Sequence, residues 1–382
     1  MQQVDSSFLV DPKMAADVDV FMRGSAKTLR WGILGAGGIA GTFVREVLSS
    51  GGTVQAVASR SLEKAQKFVE LFGSGRYGLE HGQVPGASAV NGGNKIMQAH
   101  GSYEELIANP DVDVIYIATP HSEHETWALK CLDGGKPLLI EKAVAQNAEQ
   151  AQRIYAKARE KGLFCMEAMW TRFLPHQRQI KRIVEDGIIG EVVTVQADFG
   201  IRKDYDEKHR LYNPALAGGA LLDLGIYPIS FANFILGKPD NIIASGAAVP
   251  TGVDGNLVLI FEYNSGARAL LSTTNLAFTS TCAVISGTKG RIEVANPFYR
   301  PSVFKVYLNS GEVFDYSFKT ENVDLFGEDG RFGMHYEAVE VAKCIENSVI
   351  ESATISHEES VSIMKQCDEI RRQLDFKFPN EV

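Results

Sequence analysis

Residues 29–40, with the sequence LRWGILGAGGIA, constrain the fold of this chain more than any other segment. They read as a buried strand that runs into a glycine turn and then into a helix. Gly35 permits the tight turn, Gly37 lets the backbone approach a bound group closely, and Ala40 is small enough for the helix to pack on the strand. A helix N-terminus at this point favours the pyrophosphate of a dinucleotide, because its N–H groups and dipole face that anion. We assign to the predicted cofactor-binding loop Gly35, Gly37, Gly38, Ile39 and Ala40.

The sequence around this glycine pattern determines its meaning, because a structural turn also uses glycines. An amphipathic stretch at 42–48 and a strand candidate at 53–58 complete a βαβ unit of the expected length, which favours a cofactor site over a bare turn. The second strand is followed by Ser59 and Arg60 and by no carboxylate. An NAD site usually places an acid there for the ribose 2′-hydroxyl, whereas an arginine pairs with a 2′-phosphate. We therefore predict NADP rather than NAD, unless Arg60 is simply solvated at a helix start.

The composition limits the class of protein. A chain of 382 residues with 45% hydrophobic content favours two domains, and a net charge of −9 argues against nucleic acid or an anionic membrane as the main partner. The five cysteines are widely spread and form no C-x-x-C pair, as expected for reduced, mostly buried thiols. Residues 1–28 hold no apolar run long enough for a signal peptide or membrane span, so we expect a cytoplasmic protein with a polar N-terminal arm. That arm is either disordered or reaches another subunit.

Strands and helices alternate along the first part of the chain. This order predicts a Rossmann-type, doubly wound parallel sheet over 29–168, with ligands at the carboxyl ends of its strands. A long glycine-rich loop at 73–101 is either a surface insertion, which we favour, or a flap near the adenosine end of the cofactor. Strands are predicted at 112–118, 137–140 and 163–168, and helices at 63–72, 102–108, 123–133 and 148–161.

The pattern changes after residue 168. A helix at 174–185, a strand at 192–201 and several short strands joined by tight turns predict an α+β domain over 169–382 with a large, mostly antiparallel open sheet. One face of this sheet takes the helices, and the other is free to meet a partner subunit, so we predict a homodimer or homotetramer. The hairpin turns are expected at 264–266, 287–290 and 309–311, and the last helices at 334–347 and 356–374.

Three polar residues are candidates for chemistry. Lys142 follows a predicted strand end and supplies a compact positive charge, although an exposed lysine is the common outcome at such a position. Asp223 and Tyr227 are four residues apart in an apolar segment, on one side of a predicted helix that kinks or restarts at Pro228. A tyrosine transfers protons near neutral pH only if a cation such as Lys142 lowers its pKa. Spacing alone leaves catalysis and a buried core tyrosine equally open for Tyr227.

The segment after the fourth predicted strand contains two histidines. Thr119 and Pro120 lie at the strand end, where a cofactor is expected. His121 and His124 are three residues apart, but no third ligand lies near them in sequence, so we predict no metal. We read His121 as lining the cofactor cleft and His124 as a residue of the helix start, and we include all four residues in the predicted cofactor site.

Several separated motifs resemble the glucose–fructose oxidoreductase/inositol dehydrogenase (Gfo/Idh/MocA) family from about residue 29 to the C-terminus. They lie at 35–40, 118–124, 141–142 and 217–227. The branch of dimeric dihydrodiol dehydrogenases and NADP-dependent D-xylose dehydrogenases is most similar, because it shares the sequences at 166–173 and 222–228. The usual Glu-Lys-Pro of the family is Glu141-Lys142-Ala143 here, and its usual histidine is Tyr227, and both departures match this branch.

The resemblance implies roles for individual residues. Lys142 and Tyr227 would form the acid/base pair, Asp223 would orient substrate hydroxyls, and Glu141 would position the nicotinamide or its ribose. Lys142 would also contact the cofactor. A further group at the domain junction would wall the substrate pocket, or would equally well form a packed strand-to-helix corner. This group consists of Trp170, Arg172 and Phe173.

The function that follows is an NADP-dependent oxidoreductase for a sugar or polyol hydroxyl. The anomeric C1 of an aldose is the expected site, with a lactone as product. Alternatives within the enzyme class are trans-dihydrodiol oxidation, sugar-carbonyl reduction and sugar–sugar oxidoreduction with a retained cofactor. An alternative of another class is a non-catalytic NAD(P)-binding regulatory protein. The presence of Lys142, Asp223 and Tyr227 argues against that class, because a sensor does not need a proton-transfer pair.

Overall fold

The computed structural model of the chain describes residues 29–72, 97–316, 333–379 and 381. The predictions for the arm at 1–28 and for most of the loop at 73–101 lie outside these residues, but the end of that predicted loop forms the strand Gln98–His100 and not a loop. The described residues form two compact units. The first unit holds those of Ala26–Trp170 and Lys319–Val361, and the second unit holds those of Thr171–Phe318 and Ser362–Val382.

A parallel six-stranded sheet with the order β3-β2-β1-β4-β5-β6 is the centre of the first unit. This is the doubly wound arrangement that the alternating pattern predicts, and its strand order reverses between β1 and β4. In chain order the elements are β1 (Arg30–Leu34), α1 (Gly38–Ser49), β2 (Thr53–Ala58), α2 (Leu62–Phe72), β3 (Gln98–His100), α3 (Tyr103–Ala108), β4 (Val114–Ile117), α4 (His124–Asp133), β5 (Leu138–Glu141), α5 (Ala148–Lys161) and β6 (Cys165–Ala168).

Local sequence signals explain the boundaries of these elements. Every residue of β4 and β5 is buried, as expected for apolar strands that are covered on both faces. Ser102 caps α3 by accepting a hydrogen bond from the Glu105 amide, and Asn147 caps α5 through the Gln150 amide. Gly162 ends α5 in the left-handed conformation that favours glycine. The helix predicted at 148–161 is confirmed.

An eight-stranded sheet with the order β14-β13-β12-β11-β7-β10-β9-β8 is the centre of the second unit. Neighbouring strands are antiparallel except for β7 and β10, and the three predicted hairpins are confirmed. The elements are α6 (Pro175–Glu185), β7 (Val192–Gly200), a π-helical turn (Leu221–Gly225), α7 (Ile226–Leu236), β8 (Asn241–Ala248), β9 (Asp254–Glu262), β10 (Arg268–Thr274), β11 (Ala283–Gly287), β12 (Gly290–Val294), β13 (Phe304–Leu308) and β14 (Val313–Tyr316).

The π-helical turn and α7 form the helical core of the second unit. They lie within Pro214–Leu236, a stretch long and apolar enough to cross a membrane by length and composition. Its most apolar window is 83% buried inside the protein, which is the signature of a core helix. Helix α7 packs against β7 and β10 and therefore covers one face of the sheet.

Two helices end the chain, α8 (Met334–Glu346) and α9 (His357–Gln373). The sequence pattern assigned both to the second domain, but the structure places α8 in the first unit, and the boundary between the units falls within α9. The reason is a long-range cap, because Glu46 of α1 accepts hydrogen bonds from the amides of Gly333, Met334 and His335 at the start of α8. A carboxylate at this position satisfies the unpaired N–H groups and the helix dipole.

Candidate functional site

The glycine loop between β1 and α1 has the features that a diphosphate requires. Gly35 has a φ of +111°, and a Cβ on it would lie 2.7 Å from the carbonyl oxygen of Ala118, so both conformation and space demand glycine. A Cβ on Gly37 or Gly38 would meet nothing within 4 Å, so the backbone of the α1 N-terminus faces open space. A dinucleotide fits this loop, because its anion would meet the N–H groups at the start of α1.

Packing of α1 uses two small residues. Ala40 is fully buried, as the fingerprint predicts. Sequence reasoning did not identify Gly41, whose hydrogen lies against the Phe72 ring of α2 so closely that a methyl group would clash. Gly41 follows the glycine pattern by one residue, but its contact with Phe72 could not be predicted because Phe72 is distant in sequence.

The loops after β4 and β5 are joined by histidines. The Nε2 atom of His121 lies 3.1 Å from the Lys142 carbonyl oxygen. His124 is completely buried, with Nδ1 3.0 Å from the Ala143 oxygen and Nε2 2.9 Å from the Thr119 oxygen. Burial lowers the pKa of His124 to about 4, so its ring is neutral near pH 7. Complete burial and these two contacts favour a role for His124 in positioning the two loops over direct contact with a cofactor.

Lys142 follows directly on the last residue of β5, at the strand end that the sequence predicts. The side chain of Glu141 is buried and accepts a hydrogen bond from the Tyr116 hydroxyl. The loop beyond Lys142 is held by Glu167, which accepts a 3.1 Å hydrogen bond from the Val144 amide. Glu167 is itself oriented by the hydroxyl of Ser360 at 2.8 Å. Residues from three elements thus determine the path of the chain around Lys142.

The two residues predicted to bind the cofactor at the end of β2, Ser59 and Arg60, differ in exposure. Ser59 is buried, whereas the side chain of Arg60 is 73% exposed. Its Nη1 atom lies 3.1 Å from Oε1 of Glu123. Such a surface pair contributes about 1 kcal/mol or less, so a phosphate can compete with Glu123 for Arg60 at little cost.

In the second unit, Asp223 lies on the π-helical turn and Tyr227 lies in the first turn of α7. The helix does not restart at Pro228: α7 begins at Ile226, directly after the π-helical turn, and Pro228 lies within its first turn. The Tyr227 ring packs against an aromatic pair, with centroid distances of 5.6 Å to Phe199 and 5.0 Å to Tyr299. Phe199 and Tyr299 therefore form an aromatic contact surface for Tyr227. Neither residue was identified from the sequence.

Arg210 is a second residue that sequence reasoning did not identify. Its guanidinium donates two hydrogen bonds to the Asp223 carboxylate, from Nη1 to Oδ1 at 2.7 Å and from Nη2 to Oδ2 at 3.1 Å. This two-point geometry fixes the plane of the carboxylate as well as its position. No motif or spacing marks Arg210, because it precedes Asp223 in a segment without regular structure.

Asp254 positions the segment that carries Asp223 and Tyr227. Its buried Oδ2 atom accepts a 2.6 Å hydrogen bond from the Leu221 amide at the start of the π-helical turn. Gly219 has a φ of +121° and approaches this carboxyl group so closely that a Cβ would clash. Burial raises the pKa of Asp254 to about 6.

The three residues expected at the domain junction are buried, Trp170 in the first unit and the other two in the second. The guanidinium of Arg172 donates to the Ser230 hydroxyl at 2.8 Å and to the Ser230 carbonyl at 2.9 Å. It also lies 4.7 Å from the Phe234 ring centroid. For Arg172 and Phe173 these contacts and this burial favour the packed corner over a wall of the substrate pocket.

Comparison with known proteins identifies a family match for each of the two domains. Residues 29–169 match the family model of an oxidoreductase family with an NAD-binding Rossmann fold, and residues 177–293 match that of the GFO/IDH/MocA C-terminal domain. A trans-1,2-dihydrobenzene-1,2-diol dehydrogenase from Bos taurus is 34% identical over 92% of this chain and 99% of its own length. A D-xylose 1-dehydrogenase (NADP(+)) from Hypocrea jecorina is 34% identical over 94% of this chain and 95% of its own.

Solved structures share the fold. An aldose-aldose oxidoreductase from Caulobacter crescentus, complexed with glycerol, superposes with a TM-score of 0.75 at 22% identity and covers 91% of this chain and 98% of its own. A 3-ketoreductase from Actinomadura kijaniata, in complex with NADP and TDP-benzene, gives a TM-score of 0.72 at 24% identity, with the same coverage of 91% and 98%.

Proposed function

The chain belongs to the GFO/IDH/MocA oxidoreductase family, and from this premise we propose that it transfers a hydride between NADP and a sugar or polyol hydroxyl. The substrate carbon that we favour is the anomeric C1 of an aldose, which gives a lactone. The D-xylose dehydrogenase, a relative that matches almost the whole chain, supports this substrate class.

One observation carries the proposal. The open glycine loop follows β1, and Lys142 follows β5. These two strands lie in the same parallel sheet, with only β4 between them. The carboxyl ends of these strands bracket the point where the strand order reverses, which is where open α/β sheets bind ligands. This arrangement supports the proposal that Lys142 acts as a charged proton-transfer group beside the dinucleotide site.

The bound dinucleotide would accept the hydride from the substrate carbon. Tyr227 would take the proton from the substrate hydroxyl, and the positive charge of Lys142 would favour the phenolate that this step requires. Asp223, held by Arg210, would accept hydrogen bonds from substrate hydroxyls. The pairing of Lys142 with Tyr227 rests on the motif match, and the same groups serve carbonyl reduction in the reverse direction.

The remaining cofactor contacts are proposed from the loops of the first unit. Arg60 would leave Glu123 to pair with the 2′-phosphate of NADP, beside Ser59. Glu141 would position the nicotinamide or its ribose from the end of β5. The loop after β4 would line the cleft through Thr119, Pro120 and His121.

The test is production of NADPH, followed by its absorbance, with NADP or NAD and a panel of aldoses, inositols and a trans-dihydrodiol. Turnover of one aldose with NADP is the expected result. Tight NADP binding without turnover of any panel member would contradict the proposal and support a retained cofactor or a regulatory protein.

Replacement of the proposed acid/base group gives a sharper test. We expect Lys142→Met still to bind NADP and to lose about 10²-fold or more in kcat, because proton transfer contributes at least this much. Lys67→Met, at an exposed lysine of α2, is the matched control and should retain full activity. Retained activity in Lys142→Met would remove this lysine from the mechanism.

A second candidate, trans-dihydrodiol oxidation, is favoured by the aromatic pair next to Tyr227. Phe199 and Tyr299 stack with centroids 4.2 Å apart beside the Tyr227 ring, and aromatic surroundings of this kind favour a cyclohexadiene diol over a more polar sugar. The name of the bovine relative, trans-1,2-dihydrobenzene-1,2-diol dehydrogenase, specifies a compound of this kind as its substrate. A higher kcat/KM for the diol than for every aldose in the panel would establish this candidate.

A further inference from the structure

Strand β6 lies at one end of the parallel sheet, next to β5, which leads into Lys142. The outer edge of such a strand presents backbone groups that need partners. At Cys165 these partners come from the segment 350–360, which precedes and begins α9. The Cys165 amide donates to the Ile350 carbonyl oxygen at 3.0 Å, and the Cys165 carbonyl oxygen lies 2.8 Å from Nε2 of His357, 192 residues later in the chain.

The segment 350–360 is itself fixed within the first unit. The His357 ring is buried and stacks on the Tyr155 ring of α5, with centroids 4.2 Å apart and an interplanar angle of 18°. The backbone N–H of His357 donates to the carboxylate of Glu351 at 2.7 Å. The segment therefore provides a firm support along the outer edge of β6.

Glu167 on β6 connects this support to the loop that carries Lys142. Its side chain is buried, and its two carboxylate oxygens have different partners. Oε2 accepts the hydroxyl proton of Ser360 at 2.8 Å, and Oε1 accepts the amide N–H of Val144 at 3.1 Å. Val144 is fully buried, and a buried amide that loses its acceptor costs about 1–3 kcal/mol. A chain of hydrogen bonds thus runs from α9 through Glu167 to the backbone just beyond Lys142.

We propose that Glu167 is a positioning residue for Lys142 and that Ser360 orients it. Glu167 acts through the Val144 amide and contacts neither substrate nor cofactor. Histidines contact the carbonyls of Lys142 and Ala143, and Glu167 holds the amide that follows. A displacement of about 1 Å at a reacting group can cost about 10²-fold in rate, so this restraint matters for proton transfer. The inference rests on the proposed function for the role of Lys142.

The first test measures the restraint itself and requires no turnover. Glu167→Leu removes the acceptor of the Val144 amide, so we expect hydrogen exchange in the segment 142–146 to accelerate about tenfold, the equivalent of one hydrogen bond. Glu167→Gln keeps an acceptor oxygen and should exchange within about twofold of the wild type. Equal exchange in the wild type and Glu167→Leu would overturn the proposal. Failure of the sugar oxidoreductase proposal would leave these exchange rates unchanged.

The second test separates positioning from general stability. In Glu167→Leu we expect kcat to fall about 10²-fold and the KM for the sugar to stay within about threefold, because the substrate-binding Asp223 is untouched. Glu167→Gln should recover kcat to within about threefold of the wild type, since it again accepts the Val144 amide. Wild-type kcat in Glu167→Leu, or an equal loss of kcat in both variants, would overturn the positioning role.

The role of Ser360 is tested by a double-mutant cycle, which also uses a milder change than Glu167→Leu. Ser360→Ala alone should lower kcat about threefold to tenfold, and in the Glu167→Leu background it should have no further effect, because it acts through Glu167. Ser362→Ala is the matched control on the same helix, since the Ser362 hydroxyl has no hydrogen-bond partner among the described residues, and it should retain full activity. Losses that multiply in the double variant would overturn the route through Glu167.

Discussion

At the scale of single residues, two glycines of one motif have different physical roles. Gly35 is required by its own backbone, because of its positive φ and its contact with the Ala118 carbonyl. Gly37 is not required by the protein, since a Cβ there would meet nothing within 4 Å. We therefore propose that the space beside Gly37 serves the pyrophosphate of the bound dinucleotide.

This difference predicts a matched pair of variants. Gly35→Ala should lower the free energy of unfolding by about 1–3 kcal/mol, because alanine is strained at this φ and meets the carbonyl. Gly37→Ala should melt like the wild type and bind NADP about tenfold or more weakly, because its methyl group would occupy the place of the pyrophosphate. Calorimetric melting and NADP titration measure both effects. Normal NADP affinity in Gly37→Ala would refute the assigned site.

Arg60 predicts the choice between the two dinucleotides. Arg60→Ala should raise the Kd for NADP about tenfold and leave that for NAD unchanged, because only NADP carries the 2′-phosphate. Glu123→Gln removes the ion-pair partner of Arg60 and should bind NADP as well as the wild type or better. Equal losses for both dinucleotides in Arg60→Ala would show that this arginine supports the fold instead.

At the scale of elements, the π-helical turn Leu221–Gly225 depends on one buried acid from β9. Asp254 accepts the Leu221 amide, and Gly219 provides the space for the carboxyl group. The sequence pattern predicts a helical segment here with Asp223 and Tyr227 on one side. It does not predict the π-helical turn, because the contact that accompanies it comes from a strand that is distant in sequence.

The raised pKa of Asp254, about 6, predicts the sign of a pH effect. Between the ordinary aspartate pKa of about 3.9 and this value the folded state binds more protons than the unfolded state, so the wild type gains stability as pH falls from 7 to 4. Relative to Asp254→Asn, which cannot titrate, this gain should reach about 2–3 kcal/mol. Urea unfolding of both proteins at several pH values measures it, and parallel profiles would contradict the prediction.

At the scale of the whole molecule, the open sheet of the second unit carries an apolar row on the face opposite α7. Ile243, Ile260 and Leu270 lie side by side on β8, β9 and β10. Ile243 and Leu270 are 47% and 42% exposed. Such a row fits the homodimer or homotetramer that the sequence pattern predicts through this sheet.

The oligomer prediction has a direct test. We expect light scattering to give a dimer or tetramer for the wild type and a smaller species for Leu270→Glu, because a charge in a buried apolar row is costly. Glu293→Gln, on β12 at a distance from this row, should leave the oligomer unchanged. A wild type that is monomeric at high concentration would refute the prediction.

The sequence by itself determined the Rossmann-type sheet, the antiparallel second sheet, the three hairpins and the placement of Lys142 at a strand end. These features depend on local signals: the period of apolar residues, the glycine turn and the capping side chains. Only the tertiary structure decided that α8 packs with the first unit, that Arg210 binds Asp223 and that His124 joins two loops. The physical reason is that each of these contacts joins side chains whose separation in the chain leaves no local pattern, so they appear only when the chain is folded.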